Sequence, residues 1–253
     1  TWLLPFGKIM KNNIGRSMTI ARLTQTLAIC SLLLLLIGTA GVRLQAFDYQ
    51  IGLSMFSLAG LFSFISICAS ALFTRRAKHA EARRKLSNAA LIALPAAIFF
   101  SLSLFQGAGA PLIHDISTDL SNPPEFIKAP SLRKPSDNSL KYQTANIPLQ
   151  QQAYPELNSL ISSLSVPAAQ KRAYKIASEM GWLVYYQNDG HLEAEARSFW
   201  FGFVDDIVIR ITPTATGSAI DLRSTSRTGK GDLGVNAKRI KQFFDTFKIH
   251  HRS

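Results

Sequence analysis

Hydrophobic and polar positions divide this chain into two parts with different periods. In the first part, residues 23–42, 49–74 and 86–113 contain no charged side chain. An α-helix rises about 1.5 Å per residue, so about twenty residues cross a bilayer core of ~30 Å. We therefore predict a membrane domain over residues 1–110 with three transmembrane helices, at about 23–42, 49–74 and 87–108. The alternative is three buried helices of a soluble core, which stretches of this length disfavour.

The next segment, residues 111–152, is irregular. It contains six prolines and no sustained apolar period, which is typical of a connector. Connectors of this length are either disordered or held against the surface of a domain. Several apolar side chains favour attachment along part of the segment: Ile116, Phe126, Ile127 and Leu132.

Helical and strand periods alternate over residues 153–253. "VPAAQKRAYKIASEMG" predicts an amphipathic helix with Pro167 in its first turn and Gly181 at its end. Two hairpins follow, with turns at 188–190 and 215–216. "DLGVNAKRIKQFFDTF" predicts a last helix. This order predicts an α+β domain, with an antiparallel sheet of about four strands packed on one face by helices.

Strand alternation predicts two different faces for this sheet. Ile207 and Ile209 lie on an apolar face, while the other face carries acids and arginines. The predicted turn places Arg210 opposite Asp221 as a cross-strand ion pair. The charged face is either a ligand or active site, or a solvated or self-paired surface of the kind that antiparallel sheets commonly have. In the first case the candidate general bases are Glu193, Asp205 and Asp206, with Glu195 beside them.

A glycine-rich stretch, "TSRTGKGDLG", precedes the last helix. Its glycines and cations lie where the free N–H groups of a helix favour an anion, which predicts a phosphate or carboxylate cradle. It is not a Walker A loop, because neither Ser nor Thr follows Lys230. The alternative is that Asp232 caps the helix and the glycines shape the turn. Capping alone leaves Arg227, Lys230 and Arg239 without a role.

The distribution of charge excludes one class of partner. Most of the net charge of +12 lies in residues 1–110, which contain eleven Lys or Arg and two acids. The rest of the chain contains seventeen Lys or Arg and fourteen acids. A domain of nearly balanced charge lacks the basic surface that binds phosphate backbones, so we predict no nucleic-acid partner.

The same charges predict an orientation in the membrane, because Lys and Arg near the ends of spans stay in the cytoplasm. Residues 75–85 contain six of them, and residues 43–48 contain one. We expect a multi-pass protein of the bacterial inner membrane, with a cytoplasmic N-terminus and a periplasmic C-terminal domain. Translation from Met18 and cleavage of the first span as a signal peptide are alternatives that keep this topology.

Neither a metal nor a cofactor is expected. Cys30 and Cys68 fall inside predicted spans, so the C-terminal domain has no thiol for a metal site or a disulfide. His191, Glu193 and Glu195 alternate along one strand and spread over about 13 Å, which is too far for one ion.

Three longer blocks resemble a known family: "IHDISTDLSNPPEF", "HLEAEARSFWFGFVDDIVIRI" and "IDLRSTSRTGKGDLGVNAKRI". Over about residues 112–248 the chain is similar to the family named domain of unknown function fourteen-ninety-nine, found in bacteria and photosynthetic eukaryotes. Some members have a Cys-containing segment near the start of the domain, where this chain has "HDISTD". The resemblance implies a fold and a set of matching positions, but no activity. Those positions are Glu193, Gly202, Phe203, Asp205, Asp206, Arg210, Asp221, Arg223, Ser224, Ser226, Arg227, Gly229, Asp232, Gly234, Asn236 and Arg239.

We predict that the C-terminal domain binds an anionic envelope component without catalysis, such as a lipid headgroup or a cell-wall fragment. A membrane-anchored hydrolase or transferase with an Asp or Glu as general base is one alternative. A scaffold whose spans bind partner membrane proteins is another, and the lipid bilayer is a partner in every case. The predicted ligand-binding set is Arg210, Asp221, Arg223, Ser226, Arg227, Lys230, Asp232, Asn236 and Arg239, with Arg223, Arg227, Lys230 and Arg239 as the main contacts.

Overall fold

The computed structural model describes residues 4–249, with side chains from residue 15 onward. The chain forms two compact units, which divide between Phe105 and Gln106. The predicted limits at residues 1 and 253 lie outside the described residues. The first unit is helical and the second combines helices with a sheet, as the two periods of the sequence predict.

Three long helices build the first unit: α1 (Leu4–Arg43), α2 (Tyr49–Thr74) and α3 (Ala80–Gly107). All three are long and apolar enough to cross a membrane, which confirms the three predicted candidate spans. The first helix is longer than its predicted span, because it begins well before residue 23 and continues through Met18.

Small side chains lie between these helices, and large apolar side chains point outward. Ala28, Ala89 and Ala93 are buried against one another, whereas Leu36 and Leu91 are more than half exposed. A water-soluble bundle has the reverse arrangement. A lipid environment favours small side chains between the helices and large apolar side chains outside, because lipid tails solvate large apolar groups and small residues let helices approach closely.

The second unit contains an open antiparallel sheet of six strands in the order β1-β6-β5-β4-β3, with β2 also paired to β6. The predicted number of about four was therefore too low. The two additional strands have three residues each, which is too short for alternation to be recognised. The strands are β1 (Asp115–Ser117), β2 (Leu160–Ser162), β3 (Leu183–Asn188), β4 (His191–Arg197), β5 (Val204–Thr214) and β6 (Gly217–Ser226).

Three helices complete the second unit: α4 (Ile147–Ala153), α5 (Val166–Glu179) and α6 (Val235–Ile249). The apolar face of the sheet is covered by α5 and α6, as predicted. Ile207 and Ile209 of β5 are buried there together with Phe243 of α6, and the ring of Trp182 stacks on Phe243 with centroids 5.5 Å apart. Full burial of each such side chain contributes about 1.5–3 kcal/mol to folding.

Both hairpins turn at the predicted positions. Asn188 pairs with His191, and Thr214 pairs with Gly217. The turns at 189–190 and 215–216 therefore lie at one end of the sheet. Because antiparallel strands reverse direction at each turn, the β4–β5 connection lies at the opposite end.

Residues 118–143, here called the covering loop, lie inside the segment predicted as a connector and cover the second face of the sheet. Their backbone binds the side chain of Glu193, and Arg133 extends to Asp206. Both carboxylates are consequently 0% exposed. The charged face is therefore paired with itself and buried, and it is not a solvated surface.

Candidate functional site

The covered polar face is centred on Asp206. Its carboxylate accepts hydrogen bonds from two guanidinium groups, with Arg133 Nε and Arg227 Nη2 each 2.7 Å away. The hydroxyl of Tyr185 adds a longer bond of 3.3 Å. Burial raises the pKa of Tyr185, and the charges of Asp206 and Glu193 raise it further, so the phenol stays protonated and donates. Asp206 is thus an anion held between two cations.

Glu193 of β4 is buried beneath the covering loop. The backbone N–H groups of Ile127, Lys128 and Ala129 donate to its carboxylate, and His191 Nε2 lies 3.0 Å from Oε1. Burial by itself would raise the pKa of Glu193. The hydrogen bonds from His191 and from the three N–H groups outweigh burial and lower that pKa. A carboxylate stabilised in its ionised form is a weak base.

Glu193 makes the stability of the second unit depend on pH. Its folded pKa lies below the unfolded value of about 4.3, so its stabilisation is complete above that pH and is lost as the pH falls through the folded pKa. We expect Glu193→Gln to be less stable than wild type at neutral pH and to show a smaller decline in stability below about pH 4. Urea unfolding measured across this pH range tests the expectation.

The control for this measurement is Glu125→Gln, which removes an exposed carboxylate from the same covering loop. Its acid decline should match that of the wild type. An unchanged decline in Glu193→Gln would contradict the assignment of this carboxylate as a source of the pH dependence.

Arg223 of β6 is the second centre of the covered polar face. Its guanidinium makes a two-pronged bond to Asp115, with distances of 3.0 and 2.7 Å, and also donates to the carbonyl oxygen of Leu140. The guanidinium carbon also lies over the rings of Phe126 and Tyr142, 5.2 Å from the centroid of each. Burial and the charge of Asp115 raise the pKa of Tyr142 to about 12, although Arg223 opposes them. Strand β1 and the covering loop are therefore fastened to β6 at this arginine.

The predicted cross-strand pair of Arg210 and Asp221 is present, with a distance of 2.9 Å. Arg210 also binds Asp119 of the covering loop at 2.8 Å. The carboxylate of Asp221 accepts further bonds from the hydroxyls of Ser159 and Thr118. The pair of Arg210 and Asp221 therefore joins β5 to β6, and it also attaches the covering loop and Ser159 to the sheet.

A third polar cluster lies where α6 begins, on the helix-covered side of the sheet. Arg239 Nη2 binds Asp205 at 2.6 Å, and its Nη1 donates to Ser224 and to Asn236. The fully buried amide of Asn236 donates to the hydroxyl of Ser226 at 3.0 Å. The cluster joins the first turn of α6 to the ends of β5 and β6.

Asp232 caps α6, as the simpler interpretation of the glycine-rich stretch predicts. Its carboxylate accepts the backbone N–H groups of Gly234 at 2.9 Å and Asn236 at 2.7 Å. Burial raises the pKa of Asp232; these two bonds oppose the rise, and the charge of Asp205 adds to it. An incoming anion would have to displace this carboxylate to reach the same N–H groups.

These contacts use nearly all of the predicted site residues. Glu193, Asp205 and Asp206 are each less than a tenth exposed and accept hydrogen bonds within the domain. Eight of the nine predicted ligand-binding residues make ion pairs or hydrogen bonds inside the domain, either on the covered polar face or where α6 begins. Lys230 is exposed and forms no ion pair with any residue that the structure describes. The contacts of the covered polar face and of the cluster at the start of α6 are therefore structural, because they join the segments of the domain.

An open groove of about 340 Å³ lies between the end of α5, the end of β4 and the first turns of α6. It is lined by Arg197, Lys238 and Arg239 and by the apolar side chains of Met180 and Trp182, and no acid lines it. We call it the cationic groove. Arg197 pairs with Glu195 on β4, but its side chain remains 54% exposed. Lys238 is exposed and makes no ion pair with a described residue.

Of these three cations, only Arg239 was predicted from the sequence as a ligand contact. Arg197 alternates with Glu195 along one strand, a pattern typical of a paired charged surface, and Lys238 lies on the exposed side of a predicted helix, where lysine is common. The neighbouring pair of Lys238 and Arg239 close to a helix start was the available signal.

A second groove and the grouping of possible metal ligands offer weaker candidates for a functional site. A larger groove of about 580 Å³ lies at the turn end of the sheet, and its only charged lining residues are Lys171 and Asp189, which balance each other. Among residues 4–249, no three His, Cys, Asp or Glu side chains are grouped in a way that could hold a metal ion.

The model of a family described as "Protein of unknown function (DUF1499)" matches residues 115–247, from the first strand of the sheet to the last turn of α6. No curated protein matches the chain.

Proposed function

We propose, from the premise that this chain belongs to the DUF1499 family, that it is a membrane-anchored protein whose second unit binds an anionic envelope ligand without catalysis. The ligand is a lipid headgroup or a cell-wall fragment, and its site is the cationic groove. The observation that carries the proposal is the composition of this groove. Three cations and no acid line it, next to apolar side chains that would contact the uncharged part of the ligand.

Charge and shape both support an anion. Arg197 pairs with Glu195, but its side chain is 54% exposed and offers a planar group that matches carboxylate or phosphate oxygens, and Lys238 adds a mobile point charge. Of the contact set expected from sequence, Lys230 is exposed, and Arg239 lines the groove with its guanidinium bound to Asp205. Arg223 and Arg227 are likewise bound, to Asp115 and Asp206.

Binding is favoured over hydrolysis or group transfer by the state of the carboxylates. A general base must lie within hydrogen-bond reach of the proton it removes. Glu193, Asp205 and Asp206 are buried and occupied by arginines or by backbone N–H groups. None of the three borders the cationic groove.

The test is mass spectrometry of the small molecules that stay bound to the detergent-purified full chain. We expect wild type to retain an anionic molecule, and the double variant Arg197→Gln/Lys238→Gln to retain at least about tenfold less, since each lost charged contact weakens binding by about 1.5–3 kcal/mol. Both substitutions are at exposed positions, so they should leave the fold intact.

The matched control is Lys171→Gln, which removes one exposed lysine from the other groove at the opposite end of the sheet. It should retain the molecule at the wild-type level. Equal retention by all three proteins, or no anionic molecule in the wild type, would overturn the proposal. The identity of the retained molecule distinguishes a lipid headgroup from a cell-wall fragment.

We further propose that the protein lies in the bacterial inner membrane with its second unit in the periplasm. Residues 75–85, between α2 and α3, carry six Lys or Arg, and such clusters stay in the cytoplasm. A single crossing by α3 then places the second unit on the other side. A phosphatase reporter fused after residue 249 should be active, and a fluorescent protein that matures only in the cytosol should be dark. The opposite pair of results would reverse the orientation.

A further inference from the structure

The connection between β4 and β5 presents two aromatic rings to solvent. Residues 198–203, here called the aromatic tip, contain Phe199 and Trp200, which are 76% and 52% exposed. Phe201 is buried, and its ring stacks on that of Phe203 with centroids 5.1 Å apart. Large exposed aromatic side chains on a soluble surface are uncommon and mark a surface that contacts something apolar.

The aromatic tip is an ordered structure. The backbone N–H of Ser198 donates to the carbonyl oxygen of Phe203 at 2.8 Å, and that of Gly202 donates to the carbonyl oxygen of Ser198 at 3.0 Å. The hydroxyl of Ser198 accepts the N–H of Phe203 at 2.9 Å. These bonds close the tip, so the conformation that exposes the two rings is held by the backbone.

The aromatic tip lies at the end of the sheet where the chain arrives from α3. Asp115 begins β1 and pairs with Thr225, which in turn pairs with Asp206 close to the start of β5. Residues 108–114 alone join α3 to β1, and seven residues span at most about 25 Å. The length of this connection therefore limits how far the first strand of the sheet can lie from Gly107, the last residue of an apolar helix that is long enough to cross a bilayer.

Other exposed side chains at the same end of the sheet are also apolar or positively charged. Leu112, Leu183 and Leu233 are each at least half exposed, and they lie before β1, at the start of β3 and after β6. Lys230 is exposed in the loop that follows β6, and Arg197 flanks the tip itself. Apolar side chains combined with cations are the composition that binds the interface of a bilayer with anionic lipids.

We propose that the aromatic tip inserts into the lipid–water interface of the bilayer that holds this chain's own helices. Trp200 and Phe199 occupy the headgroup level, where aromatic side chains are enriched in membrane proteins, and Arg197 and Lys230 face the phosphates. This contact rests on the exposure and position of the tip and does not depend on ligand binding in the cationic groove.

The experiment uses the full chain, reconstituted in vesicles of phosphatidylcholine and phosphatidylglycerol, with Trp200 as its single tryptophan. Trp2→Phe and Trp182→Phe remove the other two, and the second substitution keeps an aromatic ring against Phe243. Lipids brominated near the headgroup end of the acyl chain should quench the fluorescence of Trp200 at least about twofold, because bromine quenches only a tryptophan close to it and the interface is where we place Trp200.

The matched control moves the tryptophan to the other end of the sheet. Trp200→Phe with Thr216→Trp, on the same background, places it in the β5–β6 turn, where no bromine quenching is expected. Equal quenching at both positions, or none at Trp200, would overturn the proposal. Blue-shifted emission of Trp200 without bromine quenching would also overturn it, since a protein partner or a second copy would then cover the tip.

A second measurement avoids the Trp182 substitution. A nitroxide label is attached at Phe199→Cys in a chain that also carries Cys30→Ser and Cys68→Ser. Oxygen, which concentrates in lipid, should collide with this label more often than a water-soluble nickel chelate does. The same label at Thr216→Cys should show the opposite order. A water-accessible label at position 199 would overturn the proposal. The Lys238→Gln variant separates the two proposals, because Lys238 lines the cationic groove and is not part of the tip: this variant should retain less of the groove ligand and leave the quenching of Trp200 unchanged.

Discussion

Asp206→Asn lowers the free energy of unfolding of the second unit by about 3–5 kcal/mol, because breaking a buried ion pair leaves uncompensated charge. Asparagine has nearly the same shape but cannot neutralise Arg133 and Arg227, which both bind this carboxylate. Both guanidinium groups are largely shielded from water by the covering loop. The midpoint of thermal unfolding of the full chain in detergent, followed by tryptophan fluorescence, should fall by roughly 10 °C.

The control is Asp245→Asn, the same chemical change at an exposed position of α6. Its unfolding midpoint should stay within about 2 °C of wild type, since surface substitutions change stability by only about ±0.5 kcal/mol. Limited proteolysis adds a local measurement, because Asp206→Asn should expose the covering loop to cleavage. A stable Asp206→Asn protein with a protected loop would contradict the assignment.

Arg223→Leu has the second large effect, a loss of about 3–5 kcal/mol, because it leaves the carboxylate of Asp115 buried without its cation. The substitution also removes the donor to the carbonyl oxygen of Leu140 and the cation that lies over the rings of Phe126 and Tyr142. Removing both charges, in Asp115→Ala/Arg223→Leu, should cost much less than the sum of the two single substitutions. Urea unfolding of the four proteins gives this coupling energy.

The effect of Arg223→Leu can be compared with the loss of an exposed ion pair in the same sheet. Arg197→Leu removes a guanidinium that also pairs with a carboxylate, Glu195, but whose side chain is 54% exposed. Exposed pairs contribute about 0–1 kcal/mol, so this change should be several-fold milder than Arg223→Leu. Similar losses at both positions would mean that burial does not decide the strength of these contacts.

These two effects determine which substitutions can report on function. Variants of Asp206, Arg223 or Arg227 would weaken the domain itself, so a loss of activity in cells would not distinguish a missing ligand contact from a missing fold. Exposed positions do not have this problem. Arg197 and Lys238 in the cationic groove and Phe199 and Trp200 in the aromatic tip can be changed without opening the covered polar face.

Local periodicity was sufficient for the elements that repeat along the chain. Three uncharged stretches predicted three apolar helices, and alternation predicted β3 to β6, both turns and the pairing of Arg210 with Asp221. The reason is that helix and strand periods are properties of neighbouring residues, and a two-residue turn determines the register of the strands beside it. The capping role of Asp232 was also within reach, because a cap acts on residues two to four positions away.

Tertiary structure alone decided which charges are paired and which remain open to a ligand. Asp115 and Arg223 are 108 residues apart in sequence, and Arg133 and Asp206 are 73 apart; no local period connects such positions. Strands β1 and β2 exist because β6 offers them an edge. The covering loop buries Glu193, which the sequence presented as a candidate base, while the fold leaves Arg197 and Lys238 at a groove. Burial makes an ion pair structural and exposure leaves a cation available, and burial is a property of the whole fold.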